Sequence, residues 1–215
     1  MTTYEDLTPY AYSPEVTGPV VNVGWLGEES RFEVGDPEPG FAEALLALVR
    51  FHHVRVTRGW QQCRLCGPGA AYPVCEPDGD GEVVLGGAEV DVPGPGVVYA
   101  APNLVYHYVV RHHYRPPAGF VRAVLARAEA SAGAWEETKR ALSVGTPLRG
   151  EIRGYHVTGL WFDLPDRPDV DAFIPNDLYG PDGVGENREH VTFHVPVDAV
   201  VVGHSDRERR VVLRV

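Results

Sequence analysis

Apolar positions follow two different periods along this 215-residue chain, and the change falls near residue 144. In the first part Phe41, Ala44, Leu45, Leu48 and Val49 recur at helical spacing after the Pro37–Gly40 turn and predict a helix. Val20–Leu26, closed by Gly27, reads as a first strand and Val54–Arg58 as a short β-branched one. The polar turn CEPDGDGE leads into an alternating strand, VVLGGAEVDV, which PGPG folds back onto VVYAA. Pro102 precedes a helix over Asn103–Arg111, with Leu104, Tyr108 and Arg111 on one face. A further helical stretch, Ala118 to Leu142, carries a weak interruption at Ser131–Gly133.

Beyond Val144 the runs are short and β-type: GTPLRGEIRGY, GLWFDLP, DAFIPNDLYG, VTFHVPVDAVVVGH and RRVVLRV. Five strands within about 70 residues fit a small barrel of the OB kind. The expected fold class is therefore an α+β N-terminal domain over 1–125, a helical linker over 126–144, and a small all-β OB-like five-stranded barrel over 145–215. No internal repeat is visible.

Composition narrows the function classes. A hydrophobic share of 44% against 23% charged describes a globular chain rather than a disordered one. The formal net charge of −11 disfavours a phosphate backbone as partner, so RNA is less expected than a protein partner of basic character. No basic segment followed by an apolar run opens the sequence and no stretch is long enough to cross a bilayer, so a cytoplasmic protein with no membrane partner is expected.

Three cysteines are an odd count, and two form a C-x2-C at Cys63–Cys66, a spacing that lets two thiolates converge on one ion. His107 and His112 stand a His-x4-His apart on the Asn103–Arg111 helix and its end, within the range of structural zinc sites. His113 in place of His112, or Cys75 as fourth ligand, are the alternatives. The cofactor expected is one structural zinc. Two other readings stay open: small buried cysteines with histidines on a solvated face, or a thiol redox pair, although CRLC lacks the βα setting that lowers a thiol pKa.

Other chemistry finds little support. There is no G-x-S-x-G, and Ser205 beside His204 and Asp206 reads as a hairpin turn. GPGVV lacks the setting of a phosphate loop, and DGDGE is too short for a calcium loop. In the barrel region Tyr155, His156, Trp161, Phe162, Phe173 and Tyr179 supply aromatic surface. Trp161 and Phe162 must point to opposite faces of one strand, one filling the core and the other free for a ligand. Trp161, Tyr155 and Phe173 are the candidate ligand-binding residues.

Two resemblances add to this. Tyr4–Tyr10 (YEDLTPY), Asn22–Leu26 (NVGWL), the RG-x-x-x-C-x-x-C knuckle at Arg58–Cys66 and Tyr99–Pro117 (YAAPNLVYHYVVRHHYRPP) resemble, in the same order, a family of uncharacterised, mostly actinobacterial proteins. That resemblance covers about 120 residues and implies no established activity. Gly145–Gly150, Gly159–Leu164 (GLWFDL), Asp171–Pro175 (DAFIP) and Asp206–Leu213 (DRERRVVL) resemble the RNA-binding OB domain repeated in the largest small-subunit ribosomal protein. The resemblance implies a base-stacking role for Trp161. It departs at Thr158 and Pro175, where that family has an aromatic residue and a histidine. The function expected is non-enzymatic binding of a protein partner, in an immunity or regulatory role, through an acidic surface. The alternatives are RNA or single-stranded nucleic-acid binding through the barrel, and a metal-dependent enzyme.

Overall fold

The computed structural model describes residues 2–13, 16, 18–168, 170–180 and 191–215. The chain forms two compact units, Met1–Ser131 and Ala132–Val215. Among the described residues no helix is long and apolar enough to cross a membrane.

In the first unit β1 (Val20–Asn22) pairs in parallel with β6 (Val97–Pro102), which runs antiparallel to β5 (Glu89–Gly94). β2 (His53–Val54) completes a sheet of order β1-β6-β5-β2. β1 is shorter than the apolar run around it. After Asn22 the chain bends at Gly24, whose φ is 69°, and Val23, Trp25 and Leu26 are buried without extending the strand. A Cβ at Gly24 would lie 2.6 Å from the Val105 side chain, so only glycine allows this bend.

The CEPDGDGE segment, expected as a turn, is instead largely strand. β3 (Val74–Asp78) and β4 (Gly81–Leu85) form a separate hairpin with Gly79–Asp80 at its tip. The alternating strand expected over VVLGGAEVDV is accordingly broken into β4 and β5 at Gly86–Gly87. There the Gly86 amide donates to the Asn103 side chain at 2.6 Å and its carbonyl accepts from Gln61 at 2.8 Å.

α1 (Phe41–Phe51) buries Phe41, Leu45, Leu48 and Val49, and α2 (Val105–His112) buries Val105, Tyr108 and Val109 in the same core. α3 (Ala118–Ala141) runs unbroken through Ser131–Gly133. A single glycine costs a helix about 1 kcal/mol relative to alanine, which the surrounding Ala, Arg and Glu positions offset. Phe120, Val121 and Val124 belong to the core of the first unit, and Trp135 to that of the second.

In the second unit β7 (Pro147–His156), β8 (Gly159–Asp163), β9 (Asp171–Pro175), β10 (Pro196–Ser205) and β11 (Arg210–Arg214) close into a barrel of order β10-β11-β9-β8-β7. β9 and β11 are parallel and the other neighbours antiparallel. This is the five-stranded OB arrangement, and the fold class is α+β followed by an OB-like barrel, as the change of period predicts. The last turns of α3 meet the β10–β11 hairpin. Trp135 Nε1 donates to Asp206 Oδ1 at 2.7 Å and Lys139 Nζ to the same oxygen at 2.8 Å. His204 is bonded to the Leu142 carbonyl at 2.8 Å, so Ser205 and its neighbours are tied to packing and form no catalytic triad.

Candidate functional site

The first unit brings a Cys–Cys knuckle against a helix end. Cys63 and Cys66 lie in the loop between β2 and β3, while α2 presents His107 from its first turns and His112 as its last residue. The helix stops there because His113 adopts φ 51°, and the amides of His113 and Tyr114 both close on the Tyr108 carbonyl. That tightening turns His112 toward His107, with ring centroids 5.1 Å apart.

Cys66 Sγ is 3.2 Å from Nε2 of both His107 and His112, and Cys63 Sγ is 3.3 Å from His112 Nε2. The four ligand atoms all lie within 4.8 Å of one another, close enough to hold one metal ion. A tetrahedral ion about 2.3 Å from sulfur and about 2.05 Å from nitrogen separates its S and N ligands by roughly 3.5 Å, so the donors need to move only slightly. His113 and Cys75 lie outside this group: His113 faces Asp36 at 3.6 Å, and Cys75 points its sulfur at the Pro73 carbonyl.

Glu76 completes the arrangement. Its carboxylate is buried on β3, accepts from His107 Nδ1 at 2.7 Å, and is gripped by Arg111 through Nε at 3.0 Å and a terminal nitrogen at 2.8 Å. An ionised carboxylate only accepts, so the His107 proton sits on Nδ1 and its Nε2 lone pair is aimed at the sulfurs. Burial works against the Glu76 charge, but the hydrogen bonds of Arg111 and His107 outweigh it and hold the carboxyl below its usual range.

The thiols split. Burial, with the hydrogen bond and charge of Cys63 beside it, pushes the Cys66 thiol up to about 11. Burial of Cys63 is outweighed by the neighbouring His107 and the knuckle amides, which hold its thiol below the ordinary value. Two adjacent thiolates repel, and a dication held by Cys63, Cys66, His107 and His112 would remove that penalty. Burial, with His107 beside it, holds His112 below its ordinary value, which leaves a neutral imidazole free to ligate.

The second group of interest lies on the outside of the barrel. Leu160 and Phe162 enter the barrel core, while Trp161 between them faces out, and on β9 Ala172 and Ile174 enter while Phe173 does not. Phe173 is nevertheless only 6% exposed, because Trp161 (5.3 Å between centroids), His156 (5.8 Å) and Arg210 (4.7 Å) cover it. Arg210 also lies 4.4 Å over the Trp161 ring, and Arg153 lies 5.8 Å from it. Tyr155 sits apart from these three rings and packs on Phe193 at 4.8 Å.

His156 and Phe173 each stand two residues before a position that departs from the ribosomal-type pattern, Thr158 and Pro175. Phe173 and Pro175 share a face of β9, whereas Thr158 lies in the turn between β7 and β8. Sequence reasoning missed Arg210, Arg153 and Glu76. The arginines could have been found by asking which cations alternate with core residues on β11 and β7. Glu76 could have been found as the acidic partner of Val74 on the inner face of a strand.

The profile of the domain of unknown function DUF7919 matches residues 2–125. The chain belongs to the DUF7919 family. The DUF7919 domain thus contains the whole Cys–His cluster with Glu76 and Arg111, and the barrel lies C-terminal to it. None of the curated proteins matches the chain. Among solved structures, GSP13 from Bacillus subtilis is similar at 17% identity and TM-score 0.29, over 34% of this chain and 54% of that one. The intact alpha subunit of aIF2 from Pyrococcus abyssi is similar at 17% identity and TM-score 0.29, over 34% of this chain and 28% of that one. The apo form of RNase R from Mycoplasma genitalium is similar at 14% identity and TM-score 0.33, over 45% and 17% of the two chains. The chain spans about half or less of each of these proteins. The OB assignment rests on the barrel's own strand order.

Proposed function

We propose that this DUF7919 protein binds single-stranded nucleic acid, with RNA favoured, through the outer face of its barrel, and that a structural zinc ion stabilises its N-terminal domain. The observation that carries the binding reading is Phe173: a buried aromatic outside the barrel core, capped by Trp161, His156 and Arg210. Aromatic rings interleaved with arginines on an OB barrel suit bases that stack and a backbone that needs few contacts. The resemblance of Gly145–Leu213 to an RNA-binding OB domain supports RNA as the form.

Charge sets the character of that binding. Residues 145–215 carry eight arginines and no lysine against twelve Asp and Glu, and Arg210 is already paired with Asp171 at 3.0 Å. Stacking therefore dominates. Arg153, which lies 3.4 Å from Asp163, and Arg210 would together contribute about −1.4 to the log–log salt slope of binding by the barrel.

Zinc is the ion favoured by two thiolates and two imidazoles, and four protein ligands make a closed, structural site. That argues against the enzymatic alternative, which needs an open coordination position.

The test is fluorescence anisotropy of a labelled single-stranded RNA with the zinc-loaded protein. Trp161→Ala should weaken binding at least about fivefold, the low end for one stacked base, with the zinc content and cooperative unfolding of the protein retained. Absence of saturable binding, or equal affinity in the variant, removes the reading. The net charge of −11 favours a second reading, a basic protein partner, which a pull-down with basic proteins at physiological salt would detect.

A further inference from the structure

The loop that carries the cysteine knuckle exposes large side chains that the Cys–His cluster does not use. Val56, Trp60 and Tyr72 are 68%, 48% and 59% exposed, a concentration of large side chains in water along one short segment. Trp60 is not loose. A Cβ on Gly87 would lie 3.2 Å from its ring, so the indole rests against the bare Gly87 backbone. The segment is pinned there by amide bonds from Thr57 to the Gly87 carbonyl and from Gln61 to the Gly86 carbonyl, each 2.8 Å. Tyr72 is tied to the same place, its hydroxyl donating to the Trp60 carbonyl at 3.1 Å.

The charge of this segment differs from that of the rest of the chain. Although the protein contains 30 Asp and Glu, none occurs in the 32 residues from Ala44 to Cys75. Of the arginines there, Arg50 is paired with Asp78, and Arg55 with Glu89 and Asp91. Arg58 and Arg64 are exposed and form no ion pair among the described residues. Arg64, between the two cysteines, also borders a cleft carrying Glu28 and Glu29, which leaves Arg58 the less compensated of the two.

From this we infer that the knuckle of the DUF7919 domain is a second contact for single-stranded nucleic acid, with Trp60 and Tyr72 stacking on bases and Arg58 and Arg64 meeting phosphates. Flat exposed rings and unpaired guanidinium groups within one short segment match a ligand that offers π-faces and anions together. An acidic chain without aromatic residues, such as polyglutamate, offers the anions alone. Because the platform is held by backbone bonds before any ligand arrives, little ordering cost attaches to binding. The inference rests on the reading of this protein as a nucleic-acid binder but places the contact on different residues, so the two can fail separately.

The experiment is photocrosslinking of the full zinc-loaded chain to a single-stranded RNA containing 4-thiouridine, with the crosslinked peptides mapped by mass spectrometry. Crosslinks are expected within residues 58–72 as well as within residues 153–173. Trp60→Ala combined with Tyr72→Ala should remove the former, weaken binding at least about fivefold and leave zinc content unchanged. Arg58→Gln should flatten the salt slope by about 0.7. Crosslinks confined to the barrel, with affinity unchanged in the double variant, overturn this inference and leave the barrel reading standing. Crosslinks confined to 58–72 do the reverse. No binding at all overturns both. Displacement by polyglutamate as readily as by unlabelled RNA shows a site for acidic protein and likewise overturns the inference.

Discussion

Glu76 and His107, 31 residues apart in sequence, meet in a buried 2.7 Å hydrogen bond that orients the imidazole toward the two cysteine sulfurs. The bond links a strand of the β3–β4 hairpin to α2, and Arg111 on the same helix neutralises the carboxylate. An unpaired carboxylate at 3% exposure would be strongly unfavourable, so this trio is arranged around the position of one ring.

Replacing the carboxylate without changing its shape therefore isolates its orienting role. Glu76→Gln should weaken metal affinity by about 10- to 100-fold, as loss of the group behind a ligating histidine does elsewhere. Competition with a chromophoric chelator measures it. The Co(II) spectrum should keep its tetrahedral bands, since all four ligands remain.

Removing a ligand acts differently. Elemental analysis of untagged protein should find about one zinc per chain, absent in Cys63→Ser and retained in Cys75→Ser, because Cys75 lies outside the cluster. Chelation should lower the unfolding transition of the first unit, since metal-binding energy is folding energy where the site holds a core together. Zinc retained in Cys63→Ser would remove the assignment.

On the barrel, Gly159 lies directly beneath the platform. A Cβ there would come within 2.5 Å of two ring carbons of Phe173 and clash with the Ile174 carbonyl. Gly159→Ala should cost about 1–3 kcal/mol and displace Phe173, weakening RNA binding together with stability. Gly154→Ala, whose Cβ would meet nothing within 4 Å, is the control and should be near neutral in a thermal melt.

High pH probes another part of the first unit. Tyr114 is fully buried and donates to Asp6 Oδ2 at 2.7 Å. Burial, with the charge and hydrogen bond of Asp6, raises its phenol well above the ordinary value near 10, and burial with the Glu89 hydrogen bond does the same to Tyr10. A raised folded pKa means that stability is full below pH 10, where both states hold the proton. It is lost as pH rises above 10, where only the unfolded chain ionises. Denaturant titrations at pH 7 and 10.5 should show that fall, and Tyr114→Phe should reduce it. The same variant should lose about 1–3 kcal/mol at pH 7, because Asp6 keeps only the Gly24 amide as donor.

Much of this was legible in the chain. Five short β-type runs separated by turns were enough to announce the barrel, and C-x2-C with His-x4-His named the four clustered residues. What escaped depends on pairings distant in sequence. Glu76 sits among Asp and Gly residues that read as turn, and only its pairing opposite Val83 makes it a strand residue facing α2. The β1 strand looked longer because Val23, Trp25 and Leu26 are apolar for reasons of burial rather than pairing. The barrel's aromatic face looked depleted because His156 and Phe173 belong to β7 and β9 and reach Trp161 only through the strand pairing.

The chain's one lysine, Lys139, lies where α3 meets the barrel hairpin, bridged to Glu136 at 2.7 Å and to Asp206 at 2.8 Å. Among side-chain amines the sequence thus offers acylating chemistry a single address, and that address is occupied. Every other fixed cation is a guanidinium, so enzymes that acetylate or ubiquitinate amines find no lysine on either of the proposed binding faces.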